Sequence, residues 1–319
     1  HCKKRKSYCK NRNILMNATI HLLNFVLFFG IFNLSMQAFY AGRKSTMRPN
    51  CPYELFSYQP FWDVEIKHTA LIGPSAHPTA MLQLASSDTG LWNTVPGLGN
   101  MTLIFVLDEH CPQVLCSGLH LCRRTDKTPS ILGRDGKYHT LTLRLVPGYF
   151  SHLFHQNTSL FNGQDIPLDD VLPGTYLAEQ VVEAGTFEKQ HSVIFRFLCQ
   201  LERDMAGPKD EIAKATYGLI YTRRGNISVS ELSRELCYSP RYLQAVMRER
   251  IGVAPKEQCK NIRMQNALHL LSGNTGASVE QIAHDLGYYD AAHFVHSYTA
   301  FMGESPTDFR RGQTCFRRF

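Results

Sequence analysis

In the last third of the chain, apolar positions recur every three or four residues, the period of a helix with one buried face. Ile212, Ala215, Leu219 and Ile220 mark a first helix over 211–222, between the breaker pair Gly207-Pro208 and Gly225. Ser228 then caps a second helix, with Glu231 completing a capping box and Leu232 and Leu236 facing inward. After a short turn, Ser239-Pro240 starts another helix, reaching about Arg250 with Leu243, Val246 and Met247 inward. Helix, short turn, helix is a helix-turn-helix unit, whose second helix is shaped for a major groove. A longer helix spans Pro255 to Leu271, with Ile262, Ala267, Leu268 and Leu271 as its apolar face. The first pattern then recurs: Ser278 to Asp290 parallels Ser228 to Ser239, and Asp290 caps a second candidate reading helix.

The middle of the chain has a different rhythm. Strand-like runs at 62–66, 81–84, 101–107 and 141–146 are broken by clusters such as Gly73-Pro74, Pro96-Gly97 and 133–136. Short strands with such punctuation predict a small barrel or sandwich. Leu141, Leu143 and Leu145 alternate with Thr142 and Arg144 before the stop at Pro147-Gly148. Residues 177–204 read as helices, with Ile194, Phe197, Leu198 and Leu201 on one stripe.

The chain has 319 residues, 44% of them apolar and 19% charged, which fits two ordinary domains and excludes wholesale disorder. The net charge of +7 is unevenly spread. Residues 1–46 hold eight Lys/Arg and no acid, 47–208 hold 11 basic against 16 acidic, and 209–319 hold 15 against 11. The basic excess is thus a leader plus a modestly basic C-terminal third. The leader, 1–46, has a Lys/Arg-rich start followed by an uncharged stretch of 30 residues whose centre, 22–32, is strongly apolar. Three readings stay open: a membrane anchor, a signal peptide, and translated upstream sequence before a start at Met47 or Met36. A signal peptide lacks its small residues, since Met36 precedes Ala38 and Phe39 precedes Ala41 at the critical spacing. An anchor would export everything after residue 43, away from any DNA. Upstream sequence resolves both conflicts and leaves a cytoplasmic protein, membrane-anchored only if the leader belongs to it.

Ten cysteines are scattered from Cys2 to Cys315, and most read as small reduced hydrophobes. Cys111, Cys116, His120 and Cys122 form a tighter group, but their spacing is not that of two zinc knuckles. No metal site is expected. Nor is an enzyme: residues 47–150 hold no His-x-His pair, His152 and His155 fall on a turn or helix, and the phosphate-cradling loop and nucleophile elbow are missing.

Residues 209–313 resemble the AraC/XylS-type transcriptional regulators. The motifs are Ser239-Pro-Arg-Tyr-Leu243, Ile251-Gly-Val-Ala-Pro255, Arg263 with Ala267 to Leu271, Ile282-Ala with Leu286-Gly-Tyr288, His293-Phe294, and Gly303-Glu-Ser-Pro306 with Phe309-Arg310. More weakly, Leu143 to Tyr149 and Pro167 to Gly174 resemble the N-terminal sensor domain of one subgroup. Together these imply an α+β chain: a β-rich, cupin-like sensor or oligomerisation domain (47–175), a helical connector (176–208), an all-α domain of two helix-turn-helix units joined by a long helix (209–313), and a tail (314–319).

The resemblance implies double-stranded DNA as the partner, with reading helices in successive major grooves about 34 Å apart. It implies RNA polymerase, a homodimer through the N-terminal domain and a small-molecule effector of unnamed class as further partners, and no cofactor. Carried over, Arg241 and Gln244 fall on base-facing positions, Tyr242 lies between them, and Arg248 falls on the phosphate side. Ala245 stands where the family often has Arg. In the second reading helix Ala291, Ala292 and Val295 carry no donors. His293 and His296 are its polar candidates, and for His293 packing among the neighbours of Phe294 and Tyr298 is an equal reading. Two other functions stay open: a DNA-binding metal or redox sensor using Cys111, Cys116 and Cys122, and a membrane-tethered interaction protein whose C-terminal helices only bundle.

Overall fold

A computed structural model describes residues 64–72, 79–87, 100–107, 112–118, 131–132, 137–202, 207–272 and 276–316. The leader, Met36, Met47, Trp62, Cys111, His120 and Cys122 lie outside the described residues. Seven strands form one antiparallel sheet: β1 (Val64–Ile72), β2 (Ala80–Ser87), β3 (Thr102–Val106), β4 (Gln113–Ser117), β5 (Ile131–Leu132), β6 (Tyr138–Leu145) and β7 (Asp165–Pro167). The spatial order is β1-β2-β6-β3-β4-β7, with β5 also beside β6. Central β6 shows the predicted alternation, with Leu141, Leu143 and Leu145 fully buried and Thr142 and Arg144 less so. β1 is longer than the run that announced it, and β4 and β7 come from segments with no strand signal. β7 is three residues, too short to show a period, and rests on β4 through Cys116 opposite Ile166.

Gly148 takes a left-handed conformation (φ 85°) and turns the chain out of the sheet into α1 (Tyr149–Phe154). A 3-10 turn (Thr158–Phe161), the short α2 (Leu168–Val171), α3 (Leu177–Ala184) and α4 (Phe187–Leu201) follow. Phe150, Phe154, Phe161, Val181, Ile194, Phe197 and Leu198 pack with Leu82, Leu103, Phe105 and the β6 leucines into one core. Three of the four residues of the predicted α4 stripe are buried and Leu201 is half-buried against the same core, so helices cover one face of the sheet.

The C-terminal third contains α5 (Pro208–Thr222), α6 (Val229–Leu236), α7 (Pro240–Ile251), α8 (Pro255–Ser272), α9 (Val279–Asp285), α10 (Ala291–Met302) and α11 (Pro306–Phe316). The predicted caps are present. Ser228 accepts from the Glu231 amide at 3.2 Å, and the Glu231 carboxylate accepts from the Ser228 amide at 2.8 Å. Ser239 caps α7, Ser278 caps α9 and Asp290 caps α10, each accepting from the amide three residues on. Such caps satisfy amides that the first helical turn leaves without partners.

Two cores lie on either side of α8. Ile220, Leu232, Leu243, Val246 and Met247 surround its Cys259 and Ile262, while Ile282, Phe294, Tyr298 and Phe309 surround its Met264, Ala267, Leu268 and Leu271. With bundles on both sides, α8 also buries Gln258, Asn261 and Gln265, which a one-faced helix would leave in water. All described residues belong to one packed unit, Pro49–Pro74 with Pro78–Phe319. No helix among them is long and apolar enough to cross a membrane.

Candidate nucleic-acid interface

α7 separates its faces by helical spacing. Leu243, Val246, Met247 and Ile251 are buried, which turns Arg241, Ala245 and Arg248 outward and leaves Gln244 half-buried at the edge. Neither Arg241 nor Arg248 has an ion-pair or hydrogen-bond partner among the described residues. Guanidinium groups left without an acid offer bidentate donors to an external acceptor. Tyr242 is 37% exposed, with its ring centroid 5.4 Å from that of Tyr238. Ser233 Oγ closes the turn ahead of α7 by donating to the Tyr238 carbonyl at 2.6 Å.

α10 repeats the frame with different chemistry. Phe294 and Tyr298 are fully buried, and Ala292, His293, His296, Thr299 and Ala300 are exposed. His293 stays exposed but rests edge-on against Tyr288, with centroids 5.3 Å apart and planes at 80°, while Tyr288 packs on Phe294 at 5.2 Å. Both readings of His293 thus coexist: the ring leans on the core's edge and keeps a face to solvent. A shift of 51 residues lays α10 on α7, placing Ala292 over Arg241, Val295 over Gln244, His296 over Ala245 and Thr299 over Arg248.

The structure also exposes a residue the sequence reading passed over. Tyr289 is 94% exposed directly before the Asp290 cap, as Tyr238 is 41% exposed directly before the Ser239 cap. The signal was available: the two tyrosines share the position preceding a cap. Ser228 and Ser239 are 11 residues apart, Ser278 and Asp290 are 12; α9 is one residue shorter than α6, and the turn after it is two residues longer.

Contacts across α8 hold the two helix pairs together. The Arg263 guanidinium lies 5.3 Å from the Tyr288 ring centroid, and Lys260 lies 5.7 Å from that of Phe301. Gly287 is left-handed (φ 72°), and a Cβ there would run into the Asn226 side chain at the entrance of the first unit.

Of the cysteine group, Cys116 is described. It is fully buried in β4, and burial pushes its thiol up to about 12, so it is protonated at neutral pH. Among the described residues no three His, Cys, Asp or Glu side chains gather to hold a metal ion.

Residues 232–312 match a family model described as a helix-turn-helix domain. This segment is a helix-turn-helix domain. Among the relatives is the uncharacterized HTH-type transcriptional regulator YtdP of Bacillus subtilis, 27% identical over 85 residues, which are 27% of this chain and 11% of that protein. Another is the uncharacterized HTH-type transcriptional regulator YidL of Escherichia coli, 27% identical over 119 residues, 36% of this chain and 39% of that one. The chain thus spans less than two-fifths of either relative. A similar solved structure is the C-terminal domain of AraT, a response regulator from Geobacillus stearothermophilus. It is 24% identical, covers 34% of this chain and 88% of that one, and has a TM-score of 0.31.

Proposed function

We propose that the chain is a DNA-binding transcription regulator whose two helix-turn-helix units dock in successive major grooves of one duplex. The observation that carries this is α7 itself: a capped helix on a firm core, with two guanidinium groups turned outward and unspent and one amide half-buried at their edge. Arg241 takes a guanine edge, Gln244 an adenine edge, and Arg248 a phosphate. Tyr242 lines the same surface. α10 offers imidazoles in place of guanidinium groups, so the second unit adds affinity more than sequence preference. The N-terminal sheet module serves as the effector or oligomerisation domain, and RNA polymerase is the downstream partner. We assign the chain no catalytic role.

The test is selection of duplexes from a random pool by the whole protein, followed by a salt series on the winner. A steep fall of log K with log salt is expected, because phosphate contacts release counterions. Arg241→Ala and Gln244→Ala should each relax preference at one base position and cost about 1–3 kcal/mol of binding. A protein that enriches no sequence, or whose two variants select as the wild type does, refutes the reading.

A further inference from the structure

The C-terminal end of α7 is pinned to the N-terminal module. Thr158 Oγ1 donates to the Arg250 carbonyl at 3.0 Å, and Asn162 Nδ2 donates to the Gly252 carbonyl at 2.8 Å. Arg250 Nη1 donates to Ser151 Oγ at 3.0 Å, and Arg250 Nε lies 3.4 Å from Asp210 Oδ1. Gly252 is left-handed (φ 96°), and a Cβ there would stand 3.2 Å from Asn162 and 3.3 Å from Thr158, so the two chains approach closely.

These pins hold the 155–159 loop beside the outward stripe of α7. Between them opens a cleft of about 620 Å³, with Ala245, Arg248 and Glu249 on one wall and Gln156, Asn157 and Ser159 on the other. Arg241, Ala245 and Arg248 succeed one another at intervals of four and three residues, so the cleft lies at the end of a stripe about 10 Å long. The loop is internally braced, since Asn157 Oδ1 accepts from the Ser159 amide at 3.1 Å and from its hydroxyl at 2.8 Å. The acids nearby are spent. Glu249 is taken by Lys209 at 2.7 Å and by Arg250 at 3.6 Å, and Asp210 by Arg250. Arg248 is the cation at the mouth with no partner among the described residues.

An open, polar cleft with one uncompensated guanidinium suits an oxyanion carried on a larger body. A helix lying in a major groove meets the phosphate backbone at the groove's edge. We propose that the 155–159 loop and Arg248 together seat a backbone phosphate of the duplex that α7 reads, making the N-terminal module part of the DNA-contacting surface. This rests on the DNA-binding reading above and adds a contact from outside the helix-turn-helix domain.

The test uses the whole protein and a duplex carrying the sequence it selects, with affinity measured by fluorescence anisotropy across a salt series. Gln156→Lys should tighten binding and steepen the slope of log K against log salt by about one. Gln156→Glu should weaken binding, and both should leave base preference unchanged. Thr158→Val, which removes the pin's hydrogen bond, should lower the melting temperature modestly and weaken binding at temperatures well below it, where the protein is fully folded. Unchanged slopes in both Gln156 variants overturn the seat. Tighter binding by Thr158→Val also overturns it, since the loop would then obstruct the duplex. Arg241→Ala separates the two ideas: if it relaxes base preference while the Gln156 variants do nothing, only the seat fails. A wild type that binds no duplex removes the DNA reading and the seat with it.

Discussion

Ser228 and Glu231 exchange hydrogen bonds at the entrance of the first helix pair, and the exchange depends on charge. The Ser228 hydroxyl first, and its amide second, hold the Glu231 carboxyl below the usual carboxylate range. The folded value lies below the unfolded one, so this contribution is complete at neutral pH and is lost as pH falls through the lowered value. Ser228→Ala should therefore lower stability in urea at neutral pH, and by less in acid. An equal loss at both would place the effect elsewhere. These caps were legible because their partners sit three residues apart in the chain. Thr158 and Arg250, 92 residues apart, gave no comparable signal, since no local rule pairs a loop threonine with a distant carbonyl. Cys116 was legible as a small hydrophobe and is fully buried.

Among the elements, α7 and α10 share a frame and differ in what they carry. The alternation of polar and apolar residues exposed both helices, and their caps placed both starts. What α10 presents could be read from the sequence alone, because its exposed positions follow once Phe294 and Tyr298 point inward. The strands were harder. β6 declared itself through alternating leucines, whereas β4 and β7 exist because the sheet edge beside them needed partners. On the DNA-binding reading, His296→Arg adds a permanent charge to the exposed face of α10. It should tighten binding and steepen the slope of log K against log salt, while leaving the first half-site's sequence unchanged. Titrations across a salt series decide it, and an unchanged slope would show that position 296 stands clear of the backbone.

On the scale of the whole molecule, the helix pairs meet each other and α8 through close approaches at two glycines. Gly225 and Gly287 are both left-handed, but their surroundings differ. A Cβ on Gly287 meets the end of the Asn226 side chain, which can swing away, so Gly287→Ala should cost mainly the backbone term of about 1–2 kcal/mol. At Gly225 the obstacle is the Cys259 carbonyl and the Arg263 amide of α8, which cannot move without the helix. Gly225→Ala should thus destabilise the protein more than Gly287→Ala, as equilibrium denaturation would show. The reverse order would mean that Asn226 is the stiffer neighbour.

Helix α8 also settles how the C-terminal third comes apart. It gives Cys259 and Ile262 to one core, and Met264, Ala267, Leu268 and Leu271 to the other. One 18-residue helix thus supplies a wall to both cores. A substitution that empties one of them should loosen the other as well, which amide exchange in the untouched half would show as lost protection.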